Sequence, residues 1–411
     1  MKWKQWLVVV LILGIVGCSG GGSGDTGKIE RFAVDGDSGI PAAVRVSGAG
    51  LIHTTQLFPK IEGREGKEDS AVEQLGALLS ELETILKEHG SGVEKLAKLN
   101  LYVSDPGDGV EVRRVVGKWF GQRPKPAITV VPTALPRLRA KVALDAVAMA
   151  PSSDKLDGVE VWSDLAVEKS RTFGGEALAA VCGPESQLIY VSGRAAKAGD
   201  LRTGTKGTME ELMSVLQFLG AGPGHVVQIK AFLNPMTEAA FAAEEIQSFF
   251  EEGDRPPVVM VEWTSPSLPT EIELIAAIPG EGEEVTEVVY ITPPGDKPSP
   301  VYSKVAVVKG NDMVYIGEMS GEAKVAADVE VKTLYARMQQ AVEAAGSDFR
   351  HLVKATYYFS DEEVSKELNT LRPTVYDPKR PPAASKIGVQ NIGLPDRGML
   401  IDMVAVPVPG K

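Results

Sequence analysis

The sequence predicts an α+β fold stated three times along one chain. Three observations lead there. The pair Arg-Pro occurs at Arg123-Pro124, Arg255-Pro256 and Arg380-Pro381, 132 and 125 residues apart. The pair Leu-Pro follows at Leu135-Pro136, Leu268-Pro269 and Leu394-Pro395, 133 and 126 residues apart, and two independent markers with one period mean an internal triplication. Between the markers, short β-branched runs bounded by glycine alternate with long stripes of apolar residues on a helical period, the signature of helices laid on a sheet.

The chain has 411 residues, enough for about two to four domains of ordinary size. Polar stretches at 151–157 and 280–284 separate the copies, which gives units at 28–150, 158–279 and 285–408. A composition of 44% hydrophobic and 24% charged residues lets each unit bury a core of its own.

Each copy opens on a strand: Lys28-Ile-Glu-Arg-Phe32, Val159-Glu-Val-Trp162 and Glu287-Val-Val-Tyr290. Next comes a strand pair around Leu51-Ile-His-Thr-Thr55, Leu188-Ile-Tyr-Val-Ser192 and Met313-Val-Tyr-Ile-Gly317. A long helix follows, marked by Val72, Leu75, Leu78, Leu79, Leu82, Ile85 and Leu86 in the first copy. Met209, Leu212, Met213, Leu216 and Leu219 mark it in the second, and Val331, Leu334, Met338, Ala341 and Val342 in the third. Gly90, Gly220 and Gly346 stand where C-caps belong. A strand then carries Lys98, Lys230 and Lys354 at matching places, and a second helix starts after Asp105-Pro106, Asn234-Pro235 and Ser360-Asp361. Two strands joined through the Leu-Pro turn close each copy, as in Ala383-Ala-Ser-Lys-Ile387 and Met399-Leu-Ile-Asp402.

The first 18 residues predict no fold. Lys2 and Lys4 precede an apolar run from Leu7 to Val16, too short to span a bilayer and shaped like a secretory signal. Ile15-Val16-Gly17-Cys18 resembles a bacterial lipobox, which makes Cys18 the expected lipidation site and residues 19–27 a Gly/Ser tether. The expectation is a lipid-anchored envelope protein, periplasmic or on the outer membrane. Cys182 lies in an apolar run, and with Cys18 acylated it has no disulfide partner, so it is expected to be a core thiol.

A net charge of −12 argues against nucleic acid, whose recognition runs on clustered Lys and Arg. His53, His89, His225 and His351 do not recur in register and no Cys/His/carboxylate spacing suggests a metal site. The glycine runs lack the strand and helix context of a nucleotide loop, so no cofactor is expected.

Pro300-Val-Tyr302-Ser-Lys304 ahead of Met313-Val-Tyr-Ile-Gly317, Tyr190-Val-Ser-Gly193, and the closing Arg380-Pro-Pro-Ala block with Ile387-Gly-Val389 and Leu394-Pro395 resemble the RidA/YjgF family of enamine/imine deaminases. The resemblance covers nearly all of 28–408 and is best in the third copy. It implies a chorismate-mutase-like fold, with three copies forming an intramolecular pseudo-trimer, hence a monomer, and small-molecule sites in the clefts between copies. It also implies hydrolysis of 2-imino acids to 2-oxo acids and ammonia, through an arginine that forks onto the substrate carboxylate and a water oriented by an acidic residue on the last strand.

The arginine position falls on Ala384 in the third copy, on Ala127 or Ile128 in the first, and on Val259 or Met260 in the second. Tyr302, Asn369 and Asp402 match other family site positions, and Asp145 matches Asp402, while Glu273 matches the first acidic residue of that strand. Each has a structural alternative: a half-buried aromatic, a backbone cap, a solvent-facing strand carboxylate. Without the arginine, a non-catalytic metabolite-binding or scaffold role stands beside the enzyme.

Overall fold

The computed structural model describes residues 27–33, 39–60, 69–151, 156, 158–163, 172–264, 267–282 and 285–410. The expected signal peptide, Cys18 and the tether up to residue 26 lie outside the described residues, as do most of the joint at 151–157 and residues 283–284. No helix among the described residues is long and apolar enough to cross a membrane.

The first repeat runs β1 (Lys28–Phe32), β2 (Ala43–Ser47), β3 (Leu51–Thr54), α1 (Ala71–Glu88), β4 (Leu96–Val103), α2 (Gly109–Phe120), β5 (Ala127–Pro132) and β6 (Val142–Met149). The second repeats this as β7 (Val159–Trp162), β8 (Ala179–Cys182), β9 (Gln187–Arg194), α3 (Leu201–Phe218), β10 (Val226–Leu233), α4 (Ala239–Gln247), β11 (Val258–Glu262) and β12 (Thr270–Ile278). The third has β13 (Glu287–Ile291), β14 (Val305–Lys309), β15 (Met313–Ser320), α5 (Ala327–Ala344), β16 (Leu352–Phe359), α6 (Glu362–Val375), β17 (Ala383–Gly388) and β18 (Met399–Ala405). The fold is α+β, with six strands to each mixed sheet.

Local chemistry sets the helix ends. Ser70 and Glu73 form a reciprocal capping box at the start of α1, satisfying two orphan N–H groups. Gly90, Gly220 and Gly346 end the long helices at φ +76°, +75° and +78°, and the amides of Ser91, Ala221 and Ser347 bond back to Leu86, Leu216 and Val342. That six-to-one return is a left-handed turn which glycine adopts without steric cost. Helix α3 begins two turns before the stripe marked in the sequence, capped by Asp200, whose Oδ1 accepts the Thr203 amide; after Leu201 its first buried positions are Gly204, Thr205 and Thr208, which extend no apolar stripe.

The sheets are not the repeats. The expected strand pairs are present as strands, yet their members do not pair with each other. β1 and β2 join the sheet of the third repeat, in the order β1-β2-β15-β18-β16-β17. β7 and β8 join the first repeat in β5-β4-β6-β3-β8-β7, and β13 and β14 join the second in β11-β10-β12-β9-β14-β13. Each repeat thus lends its leading hairpin to the repeat before it, and the first lends its own to the last.

At the crossovers the chains run too close for side chains: a Cβ on Gly50 would strike the Cys182 carbonyl, and one on Gly310 (φ +91°) would lie 2.6 Å from Thr286 Oγ1. The closing strands also differ from a simple return. β17 runs parallel to β16, while β18 lies antiparallel on the other side of β16.

Each sheet packs one face on its helices, giving three separate apolar clusters. The opposite faces meet one another. Val46, Leu51, Leu188 and Met313 belong to one buried cluster drawn from all three sheets, and Tyr102, Phe232 and Tyr358 belong to a second. Cys182 is buried in the first, where burial pushes its thiol up to about 11, so it is a core thiol.

Candidate functional site

Strand register identifies equivalent residues across the repeats. Asn100 pairs with Asp145, Lys230 with Glu273, and Thr356 with Asp402, so the three carboxylates occupy one rung. Two residues earlier stand Lys98, Gln228 and Lys354. Lys230 is therefore not the counterpart of Lys98 and Lys354, as the Leu-Ala-Lys and Gln-Ile-Lys spacing suggested; Gln228 is. On the neighbouring strand, Leu99 pairs with Ile128, Ile229 with Val258 and Ala355 with Ala384. The position equivalent to Ala384 is Ile128 in the first repeat and Val258 in the second, rather than the expected Val259 or Met260. All three are apolar.

These residues line three junctions between repeats. The strand stretches Thr55-Gln56, Ser192-Gly193 and Gly317-Glu318 follow the equivalent His53, Tyr190 and Tyr315 and face Val258, Ala384 and Ile128 respectively. Where the first repeat meets the second, Thr55 Oγ1 bonds the Val258 amide at 3.1 Å. Gln56 accepts from the Met260 amide at 3.0 Å and donates to its carbonyl at 3.1 Å. The side-chain amide acts as one more peptide of the sheet and closes that junction. Gln56→Ala is expected to destabilise by about 1–3 kcal/mol in urea unfolding, because it leaves a buried donor and acceptor unmet.

Where the first repeat meets the third, Glu318 accepts the Val130 amide at 2.8 Å and a fork from Arg113, whose Nη2 lies 2.8 Å away. Arg113 also donates to the Gly393 and Val130 carbonyls, so an arginine does enter a cleft between repeats, with each of its three nitrogens bonded inside the protein. On α2 it holds the place that Asn369 holds on α6. Each follows a buried aliphatic, Val112 or Leu368, and stands seven residues before a buried aromatic, Phe120 or Tyr376.

The junction of the second and third repeats is built differently. Ser192 Oγ accepts the Ala384 amide at 2.7 Å and donates to the Ser303 carbonyl at 2.5 Å. At the register of Gln56 and Glu318 stands Gly193, without a side chain. The space beside it is taken by the carboxyl of Glu271, with which a Cβ on Gly193 would collide. Burial, reinforced by Glu273 nearby, pushes the Glu271 carboxyl up to about 8, against the pull of Lys354 and a hydrogen bond from Ser385. At pH 7 it is a neutral acid with a proton to give.

The sequence-singled residues are scattered around these junctions. Tyr302 lies half-buried beside the third core, and its hydroxyl accepts from Lys304 at 2.6 Å. Asn369 Oδ1 accepts from Arg372 at 2.6 Å and Lys386 at 3.2 Å. Asp402 turns into the protein, where Thr129 donates to it at 3.0 Å and Lys98 lies 3.4 Å away. Burial alone would raise its carboxyl; Lys98, Lys230, the Thr129 hydrogen bond and Lys354 together hold it below the usual carboxylate range. No hydrogen bond joins Tyr302, Asn369 and Asp402 to one another among the described residues.

Glu271 and Gly193 escaped the reading by residue type. The Glu271-Ile-Glu273 alternation puts both carboxyls on one strand face, and Glu273, read as the first acidic residue, shares its rung with Asp145 and Asp402; Glu271 stands earlier, at the register of Ala143 and Leu400. In a groove of about 640 Å³ beside Leu394 and Pro395, Glu330 accepts the Gly398 and Met399 amides and Arg397 donates to the Gly321 carbonyl.

The profile of the family described as Endoribonuclease L-PSP matches residues 43–150, 179–278 and 295–407. No curated protein matches the chain. Among solved structures, a YjgF-family protein from Neisseria meningitidis is 20% identical over 30% of this chain and 98% of its own, with a TM-score of 0.23. A YjgF/YER057c/UK114-family member from Mycobacterium tuberculosis is 18% identical over 23% of this chain and 78% of its own (TM-score 0.21). E. coli TdcF with bound serine is 21% identical over 23% of this chain and 81% of its own (TM-score 0.21).

Proposed function

The chain belongs to the RidA/YjgF family, the one described as Endoribonuclease L-PSP, and from that premise we propose that it hydrolyses a small imine or enamine at one of its three junctions, that between the second and third repeats. One observation carries the reading. Side chains close the other two junctions, through Gln56 and through the Arg113–Glu318 pair, whereas here Gly193 has no side chain and the carboxyl of a neutral Glu271 stands in the corresponding space.

In the proposed step the Glu271 carboxyl gives its proton to the imine nitrogen as water adds to the C=N carbon. A proton of that water returns to the carboxylate, and the carbinolamine collapses to a carbonyl compound and ammonia. The Lys386 amide, whose counterparts at Val130 and Met260 are taken by Glu318 and Gln56, serves the substrate carboxylate.

A second reading, binding without turnover, is favoured by Ala384, where the resemblance places the carboxylate-binding arginine, and by the apolar Ile128 and Val258 at the same register. Such a fork contributes about 1.5–3 kcal/mol per charged hydrogen bond. In either reading the three sheets act as a pseudo-trimer within one monomeric chain, and the lipobox at Cys18 anchors it to a membrane of the cell envelope. An acidic surface keeps nucleic acid away.

Imines freshly generated from several amino acids by an oxidase provide the test. The chain is expected to speed their decay, Gly193→Gln to abolish the gain by rebuilding the plug of the other junctions, and Ala384→Arg to increase it. No acceleration by the native chain together with activity in Ala384→Arg would establish the binding reading. Silence in both would remove the imine substrate altogether.

A further inference from the structure

Helix α6 carries Arg372 three residues after Asn369, and strand β17 brings Lys386 to the same place. Arg372 Nη2 donates to Asn369 Oδ1 at 2.6 Å, and Lys386 Nζ donates to that same oxygen at 3.2 Å, so two cations converge on one neutral acceptor. Lys386 Nζ also reaches the Ser365 carbonyl at 3.3 Å, and the Arg372 guanidinium lies over the Tyr357 ring within hydrogen-bonding reach of its hydroxyl. Arg372 is 8% exposed, and its Nε has no hydrogen-bond partner among the described residues. Neither cation makes an ion pair among the described residues. Burial, with Arg372 beside it, lowers the Lys386 ammonium to about 8, against the pull of Glu362. Buried charges are ordinarily paired, and guanidinium and ammonium only donate, so the missing partner is an anion rather than a water.

The other repeats show that the fold does not need these charges. Four residues before the buried aromatic that ends the second helix stand Val116, Ile246 and Arg372, ahead of Phe120, Phe250 and Tyr376. Two residues after Ile128, Val258 and Ala384 stand Val130, Met260 and Lys386. The four counterparts are apolar and buried in the helix-side cores.

The first repeat shows which anion fits. There Arg113, in the place of Asn369, forks onto Glu318, and Glu318 Oε2 also accepts the Val130 amide. Between the second and third repeats Gly193 replaces Glu318, and the neutral Glu271 carboxyl beside it brings no charge. A carboxylate that the chain supplies to itself at one junction has to come from outside at the other.

We propose that Arg372 and Lys386 bind the carboxylate of a small organic acid on the α6 side of this junction, a task for which Ala384 is unsuited. The inference deepens the hydrolytic reading and rests on it for the reaction, making the substrate an imino acid rather than a neutral imine.

Titration calorimetry of the full chain at constant ionic strength tests the site, with pyruvate, its uncharged amide and inorganic phosphate as probes. Pyruvate is expected to bind at least tenfold more tightly than either of the others. Lys386→Met and Arg372→Ile install the residues of the second repeat, which suit the packing, and each is expected to weaken pyruvate about tenfold or more through loss of a charged hydrogen bond. Pyruvate no tighter than its amide, phosphate held as well as pyruvate, or full affinity in both variants would each overturn the proposal. Should a variant fail to fold, pyruvate density between Arg372 and Lys386 in soaked native crystals, or its absence, decides. Kinetics separate the anchor from the hydrolysis. Neutral imines hydrolysed as fast as imino acids would leave the enzyme and remove the anchor. Pyruvate held at these two residues with no imine hydrolysed would keep the anchor and remove the enzyme.

Discussion

Replacing Lys354 by methionine is expected to lower the unfolding free energy by about 3–5 kcal/mol, the cost of stranding a buried charge. Lys354 pairs with Glu273 with both side chains about nine-tenths buried, and its Nζ also lies 3.3 Å from Ser385 Oγ. Methionine fills the volume of the lysine stem but leaves Glu273 with only the Ser385 hydroxyl, beside Glu271. The double change Lys354→Met/Glu273→Leu removes both charges together and should return to within about 1–2 kcal/mol of the native chain, because most of the single-variant loss is desolvation of the orphaned partner. Lys332→Ala, which breaks the exposed helical pair with Asp328, should change stability by no more than about 0.5 kcal/mol. Urea unfolding of the four chains at pH 7 checks this. A Lys354→Met loss no larger than that of Lys332→Ala would mean that the interior pair is solvated.

Glu271→Gln is expected to stabilise the protein by an amount that grows with pH, reaching on the order of 2–4 kcal/mol near pH 8. The sign follows from the direction of the shift. A carboxyl held at about 8 when folded and at the ordinary glutamate value when unfolded binds its proton more tightly in the native state. Its contribution to stability is fully present below the unfolded pKa and is lost as pH rises through the folded one. Glutamine keeps the shape and cannot ionise, so native chain and variant should match near pH 4 and diverge up to about pH 8. On the proposed chemistry the same variant loses its proton donor, and native activity should itself decline above about pH 8. Parallel stability curves for the two chains would mean that Glu271 ionises normally.

The sequence makes the repeats, the helices and their glycine caps legible because period and turn chemistry are local. Leu75, Leu79, Leu82 and Leu86 announce one face of α1, and Gly90 announces its end. The exchange of hairpins leaves no such trace: Val44 and Val46 read as strand residues whichever strand lies beside them, since the pairing partner is chosen by tertiary packing. The Lys230 mismatch has the same origin. In the second repeat Gln-Ile-Lys imitates the spacing of Leu-Ala-Lys, and only the pairing of Lys230 with Glu273 reveals the offset. Sites recognised by side-chain chemistry, such as Tyr302, Asn369 and Asp402, can be sought in a sequence. A site distinguished by the absence of a side chain, as at Gly193, requires its neighbours to be in view.

The loan of β1 and β2 to the last sheet, of β7 and β8 to the first, and of β13 and β14 to the second gives the chain a clasp. A repeat cut out by itself would hold two strands with no sheet to join and four strands with an open edge, and each half would find its complement only in another molecule. An excised second repeat should therefore gather into rings of its own kind, with concentration standing in for the covalent tether. Within the intact chain the effective concentration of every hairpin is fixed, so the ring closes on itself, and damage to one hairpin is felt first in its neighbour's sheet.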